Sequence, residues 1–119
     1  MTRHELAKIQ VEVLDGTMVV SIVGEIDPSN AREIGRQLTE AVPNDAHIIV
    51  VDLAGVRFLD SSGVQMLFEL AERLTGRQQQ LRLVVPPDSP ARRVLEIVAF
   101  ADTAPVLDSR AELETNGCH

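Results

Sequence analysis

The chain has 119 residues, 45% of them hydrophobic, which suits one packed core and is too short for two ordinary domains, so residues 1–119 are read as one domain. A net charge of −7, with 18 acidic against 11 basic residues, opposes the attraction to phosphate on which nucleic-acid and anionic-membrane binding depend, and neither Trp nor Tyr is present to stack on bases. Residues 1–8 lack the apolar centre of a signal peptide, no apolar run is long enough to span a bilayer, and the single Cys118 has no partner for an internal disulfide, which predicts a cytoplasmic protein.

In residues 9–14 the apolar Ile9, Val11 and Val13 alternate with Gln10 and Glu12, the two-residue period of a half-buried strand. Asp15-Gly16 tolerates the positive backbone angles of a two-residue hairpin, so residues 17–24 should return antiparallel. Asp27-Pro28 reads as a helix start, an Asp cap followed by Pro at the first helical position. Ala31, Ile34, Leu38, Ala41 and Val42 then form one apolar face of a helix ending near Pro43. Residues 48–51 are a continuous apolar run typical of a buried central strand.

Asp60 caps the next helix, with Val64, Leu67, Leu70, Ala71 and Leu74 facing inward and Gly76 near its end, before a strand over residues 81–85. Ser89-Pro90 repeats the cap-plus-proline signal and opens a helix with Val94, Leu95 and Val98 turned inward. Residues 104–107 form a short strand or loop and residues 109–114 one or two helical turns. Phe58, Phe68 and Phe100 are assigned to the core. The ordered core spans about residues 5–114, followed by a flexible tail.

The alternation predicts an α/β domain with a mixed, mostly parallel sheet, an N-terminal β-hairpin and, with right-handed crossovers, helices packed largely on one face. Segments 24–29, 53–62 and 86–89 are then loops at the carboxyl end of the sheet, where binding sites of open α/β sheets collect.

The most informative stretch is residues 51–64, in which a Val-rich strand leads through Phe58-Leu59 into Asp60-Ser61-Ser62-Gly63 and an amphipathic helix. With Asp60 as cap, Ser61 and Ser62 occupy the first helical positions, where unpaired amides and the helix dipole favour a negative group. Gly63, lacking a side chain, leaves room for another protein's backbone. Taken alone, Asp-Ser-Ser-Gly is a common capping sequence. Asp27 has the same capping reading, and Arg57, placed in the loop, pairs with Asp60, contacts a partner or stays solvated.

A catalytic serine would need a base, and the histidines His4, His47 and His119 lie at a terminus, a strand start and the last residue. Leu59 stands where a nucleophile elbow needs glycine, and no glycine-rich phosphate loop ends in Lys-Ser or Lys-Thr. Cys118-His119 is too few ligands for a closed metal site. No enzyme, metal or cofactor is expected, a serine hydrolase being the weakest of the readings weighed.

Gly24-Glu25-Ile26-Asp27 with Ala31, Phe58-Leu59-Asp60-Ser61-Ser62-Gly63, and the segment 90–95 with Arg93 and Leu95 together resemble the STAS family, the sulfate transporter and anti-sigma factor antagonist domains. The likeness covers nearly the whole chain and is greatest to its small single-domain bacterial antagonists. It implies that Ser61 is phosphorylated by a partner that is both anti-sigma factor and serine kinase, and that a serine phosphatase reverses the step. It further implies partner contacts at Asp27, Arg57, Asp60, Ser61, Ser62 and Gly63. The alternative it implies is a STAS subunit of a lipid transporter or stress-signalling scaffold without that cycle. Two segments differ from the usual family pattern by having less glycine, residues 76–80 and residues 98–101.

Overall fold

The computed structural model describes residues 7–116. Asp15 and Gly16 take φ of 52° and 80°, the paired positive angles of a type I′ turn. The strands they join, β1 (Ala7–Leu14) and β2 (Thr17–Ile26), pair antiparallel without interruption from Leu14 opposite Thr17 to Ala7 opposite Gly24. The hairpin is therefore as predicted, extended by two residues at each outer end.

Helix α1 (Ala31–Ala41) leads into β3 (Ile48–Leu59), α2 (Ser61–Gly76), β4 (Gln80–Val84) and α3 (Pro90–Ile97). A turn of 3-10 helix at Phe100–Asp102, the two-residue β5 (Val106–Leu107) and α4 (Ala111–Asn116) complete the chain as described. The sheet order is β1-β2-β3-β4-β5, with every pairing after the hairpin parallel. Each crossover advances one strand in the same direction, so α1, α2 and α3 share a face.

Along β2 the inward set Met18, Val20 and Ile22 is fully buried, opposite Ile49 and Val51 of β3 in register. Ile34 and Leu38 of α1, Leu67, Leu70 and Leu74 of α2, and Ala91 and Leu95 of α3 complete this cluster. Ala41, assigned to the inner face from its spacing, is exposed, because α1 ends there and Val42 turns inward instead.

Three further expectations change. Strand β3 runs to Leu59, so residues 53–59 are not a loop. They continue to pair with β2 (Gly55 opposite Val23, Phe58 opposite Glu25, Leu59 opposite Ile26) through two register shifts. Each shift inserts a residue and breaks the two-residue alternation, which is why periodicity misses the strand. Val98 is 38% exposed, because α3 stops at Ile97 and the chain turns through Ala99 to bury Phe100 in its place, 4.7 Å between ring centroids from Phe68. Phe58, assigned to the core, is 47% exposed.

The second face of the sheet is covered differently. Ser21 and Asp52 are opposite each other in register and face away from the helices. The chain after β5 reaches them: Arg110 donates from Nε to Asp52 Oδ2 and from Nη2 to Ser21 Oγ, both at 2.6 Å. Val50 and Val84 are buried on this same face, two residues before Asp52 and opposite it. Helices thus gather mostly, but not wholly, on one side.

Both glycine-poor segments carry left-handed backbone: Gln78 has φ 62° and Ala99 φ 54°. A non-glycine residue there costs about 1–2 kcal/mol, offset in a glycine variant by roughly 0.4–1 kcal/mol of unfolded-chain entropy. Ala99→Gly is therefore expected to raise stability by up to ~1 kcal/mol, and Ala99→Val to lower it. Thermal melting of the two variants beside wild type checks the opposite signs.

Candidate functional site

The prolonged pairing of β2 with β3 brings two turns together. Because Ile26 lies opposite Leu59, the next residues in each strand, Asp27 and Asp60, leave the same end of the sheet from adjacent strands. The two turns share a local design. Asp60 Oδ1 accepts from the amides of Ser62 at 2.9 Å and Gly63 at 3.3 Å and from the Ser62 hydroxyl. Asp27 Oδ1 accepts from the Ser29 amide at 2.9 Å and the Ser29 hydroxyl at 2.6 Å. In both, an aspartate binds the amide and hydroxyl of a serine two residues on, an Asp-x-Ser repeat legible in Asp27-Pro28-Ser29 and Asp60-Ser61-Ser62.

The turns differ in how each joins its helix. Asp60 is the true cap of α2, which begins at Ser61 as predicted. Asp27 is not the cap of α1. That helix starts at Ala31, after Asn30, and the Asp27 carboxylate is spent one turn earlier on Ser29. Its carbonyl instead accepts the amides of Asn30 and Ala31 at 3.1 and 2.9 Å. Asn30, a residue type favoured just before a helix but overshadowed by the Asp27-Pro28 signal, ties this corner together: Nδ2 donates to the Glu25 carbonyl at 2.9 Å and Oδ1 accepts the Asp27 amide at 3.0 Å.

Ser61 projects from the first helical position into solvent, and among the described residues its hydroxyl has no hydrogen-bond partner. Ser62 is half-buried and its hydroxyl is committed to Asp60. Gly63 is buried and serves the chain's own packing: a β-carbon there would overlap Leu59 Cδ1 and come within 2.9 Å of Ile26 Cγ2. The glycine lets α2 start tight against the ends of both strands, so the room expected for a partner is already filled.

Arg57 lies on β3 and reaches Glu25 of β2 at 3.5 Å, not Asp60, with the arginine largely exposed and the glutamate about half-buried. An ion pair this exposed contributes little to stability. Phe58 projects beside it, and Val23 on the neighbouring strand is 50% exposed, so apolar surface adjoins the Asp60–Gly63 turn. The position of Phe58 just before the turn hides this, since an apolar residue at a strand end reads as core.

A groove of about 560 Å³ runs between α1 and α2 from Pro28 and Ser62 to Glu40 and Arg73. Arg36 spans its α1 wall, paired with Glu33 and with Glu40 at 2.8 Å. The hydrogen bond from Arg36, then that from Gln37, lowers the Glu33 carboxyl to about 2. The Ser29 hydroxyl and then its amide hold the Asp27 carboxyl below its ordinary value. His47 precedes β3, a full strand or roughly 40 Å of chain from Ser61. His4, Cys118 and His119 lie outside the described residues. Among the described residues no cluster of His, Cys, Asp and Glu could hold a metal ion, and no helix is long and apolar enough to cross a membrane.

Fold and turn together define a small α/β module that carries its distinctive chemistry on a strand-to-helix corner rather than in an enclosed cavity. The chain belongs to the STAS domain family, which matches residues 8–113. Over 97 residues it is 33% identical to the anti-sigma-F factor antagonist RsfB of Mycobacterium tuberculosis, covering 80% of this chain and 78% of that one. It is 29% identical over 104 residues to BtrV of Bordetella bronchiseptica, covering 87% and 88%. The crystal structure of an anti-sigma factor antagonist from Mycobacterium paratuberculosis superposes with a TM-score of 0.83 at 26% identity, covering 98% of this chain and 97% of that one.

Gly63→Ala should cost about 1–3 kcal/mol by overpacking between Leu59 and Ile26, seen as a lowered melting temperature. Asp27 and Glu33 have folded-state values below their unfolded ones, so the stability they contribute is present above the unfolded values and lost as pH falls through the folded ones. Melting temperature should therefore decline from about pH 4.5 toward pH 2, and Glu33→Gln should flatten that decline relative to wild type.

Proposed function

We propose that this protein is a cytoplasmic anti-sigma factor antagonist that acts by binding, with no catalysis of its own. Its partner is an anti-sigma factor that is also a serine kinase, docked over the corner formed by Asp27, Arg57, Asp60, Ser61 and Ser62, with Gly63 packed beneath the surface as the support of that corner. Binding releases a sigma factor, phosphorylation at Ser61 ends the binding, and a serine phosphatase restores it. Relatives described as anti-sigma factor antagonists support the first part of the reading.

The observation that carries the choice of residue is the contrast between two neighbouring hydroxyls. Ser61 Oγ is exposed and unengaged among the described residues, whereas Ser62 Oγ donates to Asp60. A kinase can extract the first without dismantling the cap of α2. The second is bound to the group that holds the helix start.

Asp60 also determines what the phosphate does. Its carboxylate already occupies the amides of Ser62 and Gly63, so a phosphate on Ser61 finds two of the first-turn donors taken and a like charge one residue away. The added charge of roughly −1.5 to −2 therefore faces outward, to be desolvated by the docking partner. Leaving such a charge unpaired in an interface costs roughly 2–5 kcal/mol, about 30-fold or more in affinity. The fold need not change.

Incubation with the candidate anti-sigma kinase and ATP, followed by phosphopeptide mapping, tests the reading. Phosphate is expected on Ser61 in wild type and in Ser62→Ala, and none in Ser61→Ala. Calorimetry should find the phosphorylated protein bound at least about 30-fold more weakly than wild type, with Ser61→Asp intermediate. Phosphate confined to Ser62, or equal affinity of the two forms, would refute the scheme.

A further inference from the structure

The two edges of the sheet are unequal. At one side β5 has two residues, while at the other β1 has eight. Protein sheets usually blunt a long edge with proline, a bulge or inward charge, because its free amides and carbonyls template pairing with another chain. Strand β1 has no proline, and its register with β2 is continuous. Its apolar row is Ala7, Ile9, Val11 and Val13, and Val11 and Val13 remain 44% and 56% exposed although the residues opposite them, Val20 and Met18, are fully buried.

The hairpin turn determines which backbone groups face outward. In a two-residue type I′ hairpin the closing pair, here Leu14 and Thr17, exchanges both hydrogen bonds. Alternation then aims the amides and carbonyls of Gln10 and Glu12 at β2 and those of Ala7, Ile9, Val11 and Val13 away from the sheet. Among the described residues, two of those with outward-facing backbone groups, Val11 and Val13, also carry exposed apolar side chains, while Ala7 and Ile9 are partly buried against the core.

We propose that β1 pairs antiparallel with β1 of a second copy of this chain, with Gln10 of each copy facing the other on the two-fold axis. In that register Ile9 meets Val11 and Ala7 meets Val13, twice each, through about eight backbone hydrogen bonds. On the opposite face Lys8 of each copy lies against Glu12 of the other. The lysine that would otherwise guard this edge is thus matched by a carboxylate the same distance beyond Gln10. A register centred on Val11 would keep the apolar match but set Gln10 against Glu12 and lose both charge pairs. The edge is separated from β3 by β2, so the pairing leaves the Asp60–Gly63 turn accessible in both copies and does not depend on the proposed function.

Sedimentation velocity on the full chain, from about 1 μM to about 1 mM, tests this. Wild type should shift from monomer to dimer with concentration. Lys8→Glu alone makes both cross-strand pairs Glu–Glu, and Glu12→Lys alone makes both Lys–Lys, so each should associate at least about tenfold more weakly than wild type. Mixing the two variants restores opposite charges at both positions and should recover the dimer. Melting curves on each variant establish that it is folded, which matters for Glu12→Lys because Glu12 also lies 3.8 Å from Arg110. A wild type that stays monomeric throughout, a Lys8→Glu protein that dimerises as wild type does, or a mixture no better than its components overturns the proposal.

Discussion

Strands β2 and β3 remain paired after β4 has ended. The register between β3 and β4 stops at Asp52 opposite Val84, while that between β2 and β3 runs on to Ile26 opposite Leu59. This two-stranded projection sets the position of everything chemically distinctive in the molecule. It delivers Asp27 and Asp60 to one corner, exposes Phe58 and Val23 on its outer side, and creates the crevice into which Gly63 fits. Ile26 and Leu59 are both buried, so the corner is built on packed side chains at its base. A corner held that way is fixed by side-chain packing rather than by the folding of a loop, and what it presents to solvent is set by its exposed groups.

Much of this is legible from residues alone, and the failures share a cause. Sequence patterns carry the hairpin through Asp15-Gly16, the cap of α2 through Asp60, and the cap of α3 through Ser89, whose Oγ accepts the Arg92 amide. Each is a local interaction within four residues, and local interactions are what a linear pattern records. The end of β3 is missed because bulges shift the phase of its alternation. Exposure of Phe58 and Val98 depends on where a neighbouring element stops, and Asn30 acts by reaching five residues back to Glu25. The pairing of Arg57 with Glu25 needs the strand register, which no composition reveals.

The two Asp-x-Ser turns set one hydrogen-bond frame around two different intervening residues. At Asp27 the intervening residue is Pro28, which has neither hydroxyl nor amide hydrogen to offer. At Asp60 it is Ser61. The same hydrogen-bond frame therefore presents an inert ring in one turn and an exposed hydroxyl in the other, side by side. The frame itself is satisfied in both without using the intervening side chain, which leaves that position able to change chemically at small cost to the fold.

Arg110 joins residues 58 and 89 positions earlier, Asp52 and Ser21, across the second face of the sheet. During synthesis on a ribosome both acceptors are made long before their donor. The sheet and its three covering helices can thus be complete in a nascent chain while Asp52 is still without its guanidinium. Contacts of such sequence separation are slow to form and are reached last. A chain cut short before this arginine would therefore carry Asp27 and Asp60 on their strands while leaving the Asp52 carboxylate without its guanidinium.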